Sequence, residues 1–169
     1  MNALLQMTLL FVVVVAINSV AVYTQRQRKL YTRLFGRYDW HAHVILLLVI
    51  WLVFLLALIF IKLPIWQLPS TLHPVGIVIA VLGMWAVAGS WLRLGTSGTC
   101  NGWFFGRGPT KQLVGGVFRL RNPMYSGFVL LFVGTAFWLE NAAYLWLAVV
   151  SFVLLNLIQA RVERPIVKE

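Results

Sequence analysis

Chemistry is concentrated in Arg119-Leu120-Arg121-Asn122-Pro123-Met124-Tyr125-Ser126-Gly127, a short run near the carboxyl end of a 169-residue chain. Pro123 biases Asn122 away from helical backbone and is well suited to open a helix. Asn122 then serves as N-cap, and the free N–H groups behind it favour an anion. Arg121 adds a fixed cation, and Tyr125 a ring and a hydroxyl within the first turn. A second set lies further on: Asn156, Gln159, Ala160 and Glu163 fall at i, i+3, i+4 and i+7 and share one helix face. The rise of 1.5 Å per residue puts Asn156 about 10 Å deeper than Glu163. Together the two sets describe a membrane-interface pocket for a ligand with an anionic part, with Asn156 and Gln159 facing its substrate. The same residues also suit simpler duties: a capped helix flanked by snorkelling arginines, a Glu163 paired with its arginine neighbours, and polar glue between helices.

The elements that position these residues follow from composition. The chain is 61% hydrophobic and 11% charged, with a mean hydropathy of +0.87. Soluble domains carry about 25% charged residues, so this chain cannot coat a water-facing surface and is neither a soluble globular protein nor a disordered one. Crossing a hydrocarbon core of ~30 Å takes about 20 apolar residues. Runs at 3–22, 44–61 and 75–92 meet that need, and apolar arms at 125–139 and 142–160 flank Glu140-Asn141 as a helical hairpin. The predicted fold is all-α, one polytopic membrane bundle over 1–169 with about five transmembrane helices, the last two a hairpin. The third run carries Gly76, Ala80, Gly83, Ala86 and Gly89, a spacing that lets helices approach closely in lipid.

Charge orients the bundle. Fourteen Lys and Arg oppose four Asp and Glu, a net charge of +10. All the basic residues except Lys62 fall after the first, third and fifth runs, so the positive-inside rule places the amino terminus outside and the carboxyl terminus in the cytoplasm of a bacterial inner membrane. Topology accounts for the positive charge, and no nucleic-acid partner is expected. The Arg26–Arg37 segment reads as a basic loop, 63–74 as a short outer turn with three prolines, and 95–116 as a long glycine-rich functional loop within 93–124, on the cytoplasmic side with 161–169. Trp66 and Trp138 fall at outer edges, and Trp40, Trp91 and Trp103 at inner ones.

Leu113-Val114, Gly116-Val117-Phe118-Arg119, the Arg121-Asn122-Pro123-Met124-Tyr125-Ser126-Gly127 run, an apolar hairpin, and Glu163 with Pro165 resemble the isoprenylcysteine carboxyl methyltransferase / phospholipid methyltransferase family. Members read Leu-Val, Gly-Pro-Tyr-Arg, Arg-His/Asn-Pro-x-Tyr-x-Gly, then a Glu-Glu pair. The resemblance covers about 113–167 and implies an enzyme that uses S-adenosyl-L-methionine to methylate a small lipophilic acceptor from the bilayer. It assigns Leu113, Val114, Phe118, Arg121, Asn122, Pro123, Met124, Tyr125 and Glu163 to the cofactor. The residue types agree: a sulfonium is favoured beside aromatic rings, a carboxylate by a cationic helix start, and an ammonium by a carboxylate.

Several positions depart from the pattern. Arg164 replaces the second Glu, the spacing from Leu113-Val114 to Arg121 is about two residues short, and Gln159 stands where the prenylcysteine branch has Arg. The family pattern also continues past the position of Glu169 into a Phe-Gly-x-x-Tyr-x-x-Tyr segment. Two other classes fit parts of the sequence: an NADPH-dependent sterol-reductase-like enzyme, which shares Arg-x-Pro-x-Tyr, and a non-catalytic helical membrane partner. His41 and His43 read as interfacial residues without a third metal ligand, so no metal is expected. His73 reads as a loop residue, Gly106-Arg107-Gly108 as neither a Rossmann nor a P-loop motif, and Cys100 as incidental.

Overall fold

The computed structural model describes residues 2–107 and 123–161. Among these residues the chain is helical, with no strand and a single isolated bridge between Gln67 and Asn141. Six α-helices succeed one another: α1 (Ala3–Arg28), α2 (Leu30–Phe35), α3 (Asp39–Phe60), α4 (His73–Thr99), α5 (Pro123–Trp138) and α6 (Ala143–Arg161). Three segments, Ala3–Arg28, Leu30–Phe60 and Ser70–Thr96, are long and apolar enough to cross a membrane; Met124–Trp138 and Ala143–Ile158 are shorter apolar helices. A helical membrane bundle is therefore the fold, and α5 and α6 form the expected hairpin.

The buried side of α1 follows a heptad: Leu4, Met7, Phe11, Val14, Ala21 and Gln25 are buried, and Asn18 occupies the remaining place in the series. Phe11 meets Phe54 of α3 at 5.2 Å between ring centroids, and Trp51 of α3 stacks on Phe128 of α5, also at 5.2 Å and within 6° of parallel. These rings join α1, α3 and α5 at mid-height, each contributing large apolar area with a defined geometry. Trp146 of α6 donates from Nε1 to Thr8 Oγ1 at 3.0 Å, tying the last helix to the first.

The α4–α5 contact rests on the small residues. Gly76 lies against the Phe137–Trp138 backbone, Ala80 against Gly134, and Gly83 against Gly127 and Leu131. A Cβ on Gly83 would sit 2.7 Å from Leu131 N, and one on Gly127 would sit 2.9 Å from Gly83 O. The two backbones thus touch along an antiparallel seam whose glycine positions leave no space even for a Cβ.

The turn between α5 and α6 is pinned from outside. Asn141 Oδ1 accepts from Trp66 N (3.1 Å) and Ala143 N (3.0 Å), while Leu68 N donates to Glu140 O and Ala142 N to Trp66 O. One carboxamide therefore caps α6 and holds the 63–72 segment over the hairpin.

Three sequence expectations are corrected. The basic Arg26–Arg37 segment is helical: α1 runs on to Arg28, Lys29 turns the chain in the left-handed region (φ 49°) with its N–H on Gln25 O, and α2 follows. Hydropathy ends the first run at the onset of charge, whereas a helix continues as long as its hydrogen bonds do. The glycine-rich stretch is not loop from its start either: α4 continues past Gly95, where φ of +66° breaks the axis, to Thr99, and Gly102–Phe105 forms a 3-10 turn. His73 is no loop residue but opens α4, its Nδ1 3.8 Å from Glu140 Oε1.

Candidate active site

A cavity of about 220 Å³ lies in the half of the bundle nearer the basic end of α1. Met124 and Tyr125, at the start of α5, line it together with Leu155 and Ile158, near the end of α6. The two regions that the sequence singles out thus share one hollow. Its other walls come from Val14, Val15 and Asn18 of α1, Leu47, Leu48, Trp51 and Leu55 of α3, Val87, Trp91 and Thr99 of α4, and Cys100 and Asn101 just past it. Most of these groups are apolar, and the cavity's size suits a hydrocarbon chain with a small head.

The cavity has a side opening. Leu48 and Leu55, one heptad apart on α3, line it and are yet 56% and 53% exposed, and Trp91 of α4 is exposed as well. α4 packs along α5 rather than along α3, so the wall between α3 and α4 is made of side chains alone. In a bilayer those exposed apolar groups face acyl chains.

Below the cavity, toward the basic residues, a polar network joins α1, α2 and α3. Gln25 is buried, donates from Nε2 to Thr32 Oγ1 (2.8 Å) and accepts from Tyr31 N (3.0 Å) at Oε1. Thr32 Oγ1 donates to Asp39 Oδ2 at 2.7 Å; Asp39 Oδ1 accepts from Trp40 N and lies 3.8 Å from the Arg107 guanidinium. Arg107 also donates to Arg37 O at 3.0 Å, which anchors the 102–107 turn to the α2–α3 junction. The sequence pattern does not show this network, whose members run from Gln25 to Arg107, 82 positions apart, across three helices and a turn.

His43 is the clearest correction in this region. It is not interfacial but fully buried, its ring 5.0 Å from that of Phe105 and 5.7 Å from that of Tyr31, with both ring nitrogens lacking a hydrogen-bond partner. The signal was present: Asp39, His43, Leu47, Ile50 and Phe54 are the buried residues of α3, at i, i+4, i+8, i+11 and i+15. His41, two positions off that stripe, is exposed.

The sequence-derived site residues divide as follows. Pro123 opens α5 as expected, and Met124 and Tyr125 line the cavity. Leu113, Val114, Phe118, Arg121, Asn122 and Glu163 lie outside the described residues, as does the Gln159 side chain. Asn156 does not face the cavity: its side chain is exposed and donates to Phe152 O at 2.6 Å, while Leu155 and Ile158 on the adjacent face form the wall. A polar residue in an apolar helix has a second option besides the interior, which is to bond its own backbone. Cys100, read as incidental, is 4% exposed and lines the cavity. Among the described residues no three His, Cys, Asp or Glu side chains are grouped to hold a metal.

Cys100 gives the cavity a reporter, since it is the chain's single cysteine. Burial pushes its thiol above the ordinary range, so the reactive thiolate is scarce near neutrality. Labelling of Cys100 by N-ethylmaleimide is expected to be slow at pH 7 and to keep climbing with pH through pH 9. Intact-mass measurement checks this; a rate that levels off between pH 8 and pH 9 would show a thiol of ordinary acidity, open to water.

The fold and this cavity define a polytopic helical membrane protein with an intramembrane apolar site beside the start of its hairpin. A family model described as phospholipid methyltransferase matches residues 71–169, which is more than half of the chain and includes α4, α5, α6 and both motif regions. The chain belongs to the phospholipid methyltransferase family. It is thus placed among membrane methyltransferases, whose members generally use S-adenosylmethionine. No curated protein and no solved structure matches the chain.

Proposed function

We propose that the protein transfers a methyl group from S-adenosyl-L-methionine to a lipophilic acceptor taken from the surrounding bilayer. The single observation that carries this reading is the apolar cavity, shared by Met124 and Tyr125 and bounded on its lipid side by the exposed Leu48 and Leu55. Its lining suits the acceptor rather than the whole cofactor, because a nucleoside with an amino acid tail needs more polar partners than these walls hold. Met124 and Tyr125 are where the two molecules would meet. The cofactor supplies, when bound, an electrophilic methyl group on a sulfonium.

The chain's own residues have separable tasks in this reading. Tyr125 presents an aromatic ring, which favours a cation near its face. Arg121 and Glu163 are suited by charge to the carboxylate and ammonium of the cofactor's amino acid end. The apolar walls exclude water and hold the acceptor in line, and placement of two reactants is worth a large part of such a barrier. The basic end of the bundle, with Arg26, Arg28, Lys29 and Arg33, is assigned to the cytoplasm, where the cofactor is made available.

The test uses purified protein in lipid nanodiscs with methyl-labelled S-adenosylmethionine and a total lipid extract. Label is expected to move into the organic phase, and calorimetry is expected to show cofactor affinity falling at least about tenfold in Tyr125→Ala, the size of a lost cation–π contact in a desolvated site. Intact protein that neither binds the cofactor nor labels any lipid would overturn the proposal.

A further inference from the structure

The cavity contains a polar group that the protein itself leaves unanswered. Asn18 lines it from α1, and its Oδ1 is buried without a hydrogen-bond partner. Its neighbours on the helix behave otherwise. Gln25, one heptad further along the same buried stripe, has both amide atoms bonded to Thr32 and Tyr31. Thr8, Ser19 and Thr24 return their hydroxyls to carbonyls of their own helix. A carboxamide oxygen removed from water with no donor is costly, more so inside a membrane, where such groups face a partner or a cavity. As helix-to-helix glue Asn18 would bond a facing side chain, and its oxygen does not. The terminal torsion of Asn is broad, so the oxygen can turn toward a donor within the cavity. Asn18 also precedes residue 71, where the family match begins.

We infer that Asn18 is a specificity-determining residue: its Oδ1 accepts a hydrogen bond from an N–H or O–H on the acceptor, so the site takes amphiphiles with a donor in the head and discriminates against chain-matched molecules that lack one. The inference rests on the proposed use of the cavity as the acceptor site. On α1 it fixes the depth of the head. Asn18 lies eight residues before Arg26, about 12 Å along the helix from the basic end, so the donor is held below the interface and not at it.

Cys100 supplies a readout independent of methyl transfer. Protein in phosphatidylcholine nanodiscs, a lipid with no donor of its own, is treated with N-ethylmaleimide at pH 8.5 in the presence of 1-tetradecanol or its methyl ether. In the native chain the alcohol is expected to protect Cys100 at a concentration about five- to tenfold lower than the ether, the range set by one hydrogen bond to a buried group. Asn18→Leu, which keeps the volume and removes the amide, is expected to erase that preference by weakening the alcohol alone; protection by the ether reports that the cavity is intact. Should leucine block the cavity, so that neither compound protects the variant, Asn18→Ala is read in its place. Equal protection by the two compounds in the native chain, or a preference that survives in the variant, overturns the role of Asn18 and leaves the acceptor cavity standing. Failure of both compounds to protect the native chain overturns the cavity reading and this inference with it.

Discussion

Gly134→Ala is expected to lower the stability of the protein sharply, although alanine is the better helix former. In an ordinary helix interior Gly→Ala gains about 1 kcal/mol. Here the added Cβ would fall on the Ala80 backbone of α4, against N and Cα, which have no rotamer by which to yield. Relief requires α4 and α5 to separate, and with them the contacts along their whole shared seam. The net loss is expected to exceed about 2 kcal/mol, at the upper end for an overpacked core, and Gly134→Leu is expected to leave no monodisperse protein. Gly76→Ala, against Phe137 and Trp138, should behave alike, and Gly83→Ala, with slightly more space, should lose less. Ala88→Leu, on the exposed side of α4, is the control and should stay within about 0.5 kcal/mol of the native chain. Thermal denaturation followed by fluorescence-detected gel filtration ranks the series. A Gly134→Ala protein as stable as the native one would mean that the seam is not the contact that holds α5 in place.

That seam is also the part of the packing most legible in the sequence. Gly76, Ala80, Gly83 and Ala86 announce a close helix neighbour because lipid offers no other reason to keep a helix face small. The hairpin was equally legible, since Glu140-Asn141 interrupts two apolar arms and Pro123 marks where the first begins. What escaped reading has a common physical cause. The cavity is built by side chains from five elements, and α1 and α3, which supply seven of its lining residues, show only hydropathy. Asn18 reads as one of several polar interruptions in a span until the fate of its neighbours is known: Thr8 and Ser19 bond their own helix, and Asn18 does not. Asn156 illustrates the converse. Its place on one face with Gln159 and Glu163 suggested an inward group, but helical period alone does not say which face is inward, and Leu155 and Ile158 occupy that side. Charge misled in a third way, since a run of arginines between apolar segments suggested a loop where α1 continues and α2 forms.

The second large effect concerns how the acceptor reaches the site. Tryptophan at Leu48 and Leu55 together is expected to cut methyl transfer to lipophilic acceptors by more than about tenfold while leaving cofactor affinity within about twofold of the native value. Both leucines line the cavity and both are more than half exposed, so larger side chains can be added there without the strain that overpacking a closed core brings. The added rings would close the gap between α3 and α4 on the side that faces acyl chains, and aromatic residues are well tolerated on a lipid-facing helix. The substitutions lie on α3, whereas Met124 and Tyr125 belong to α5. Loss of turnover with cofactor binding intact ties the bilayer-facing wall at Leu48 and Leu55 to the acceptor and not to the cofactor. The leucine pair in the native chain should likewise favour acceptors with a single extended chain over those with two, since about 220 Å³ holds little more than one chain segment. Undiminished lipid labelling by the double variant would show that acceptors enter from the water side.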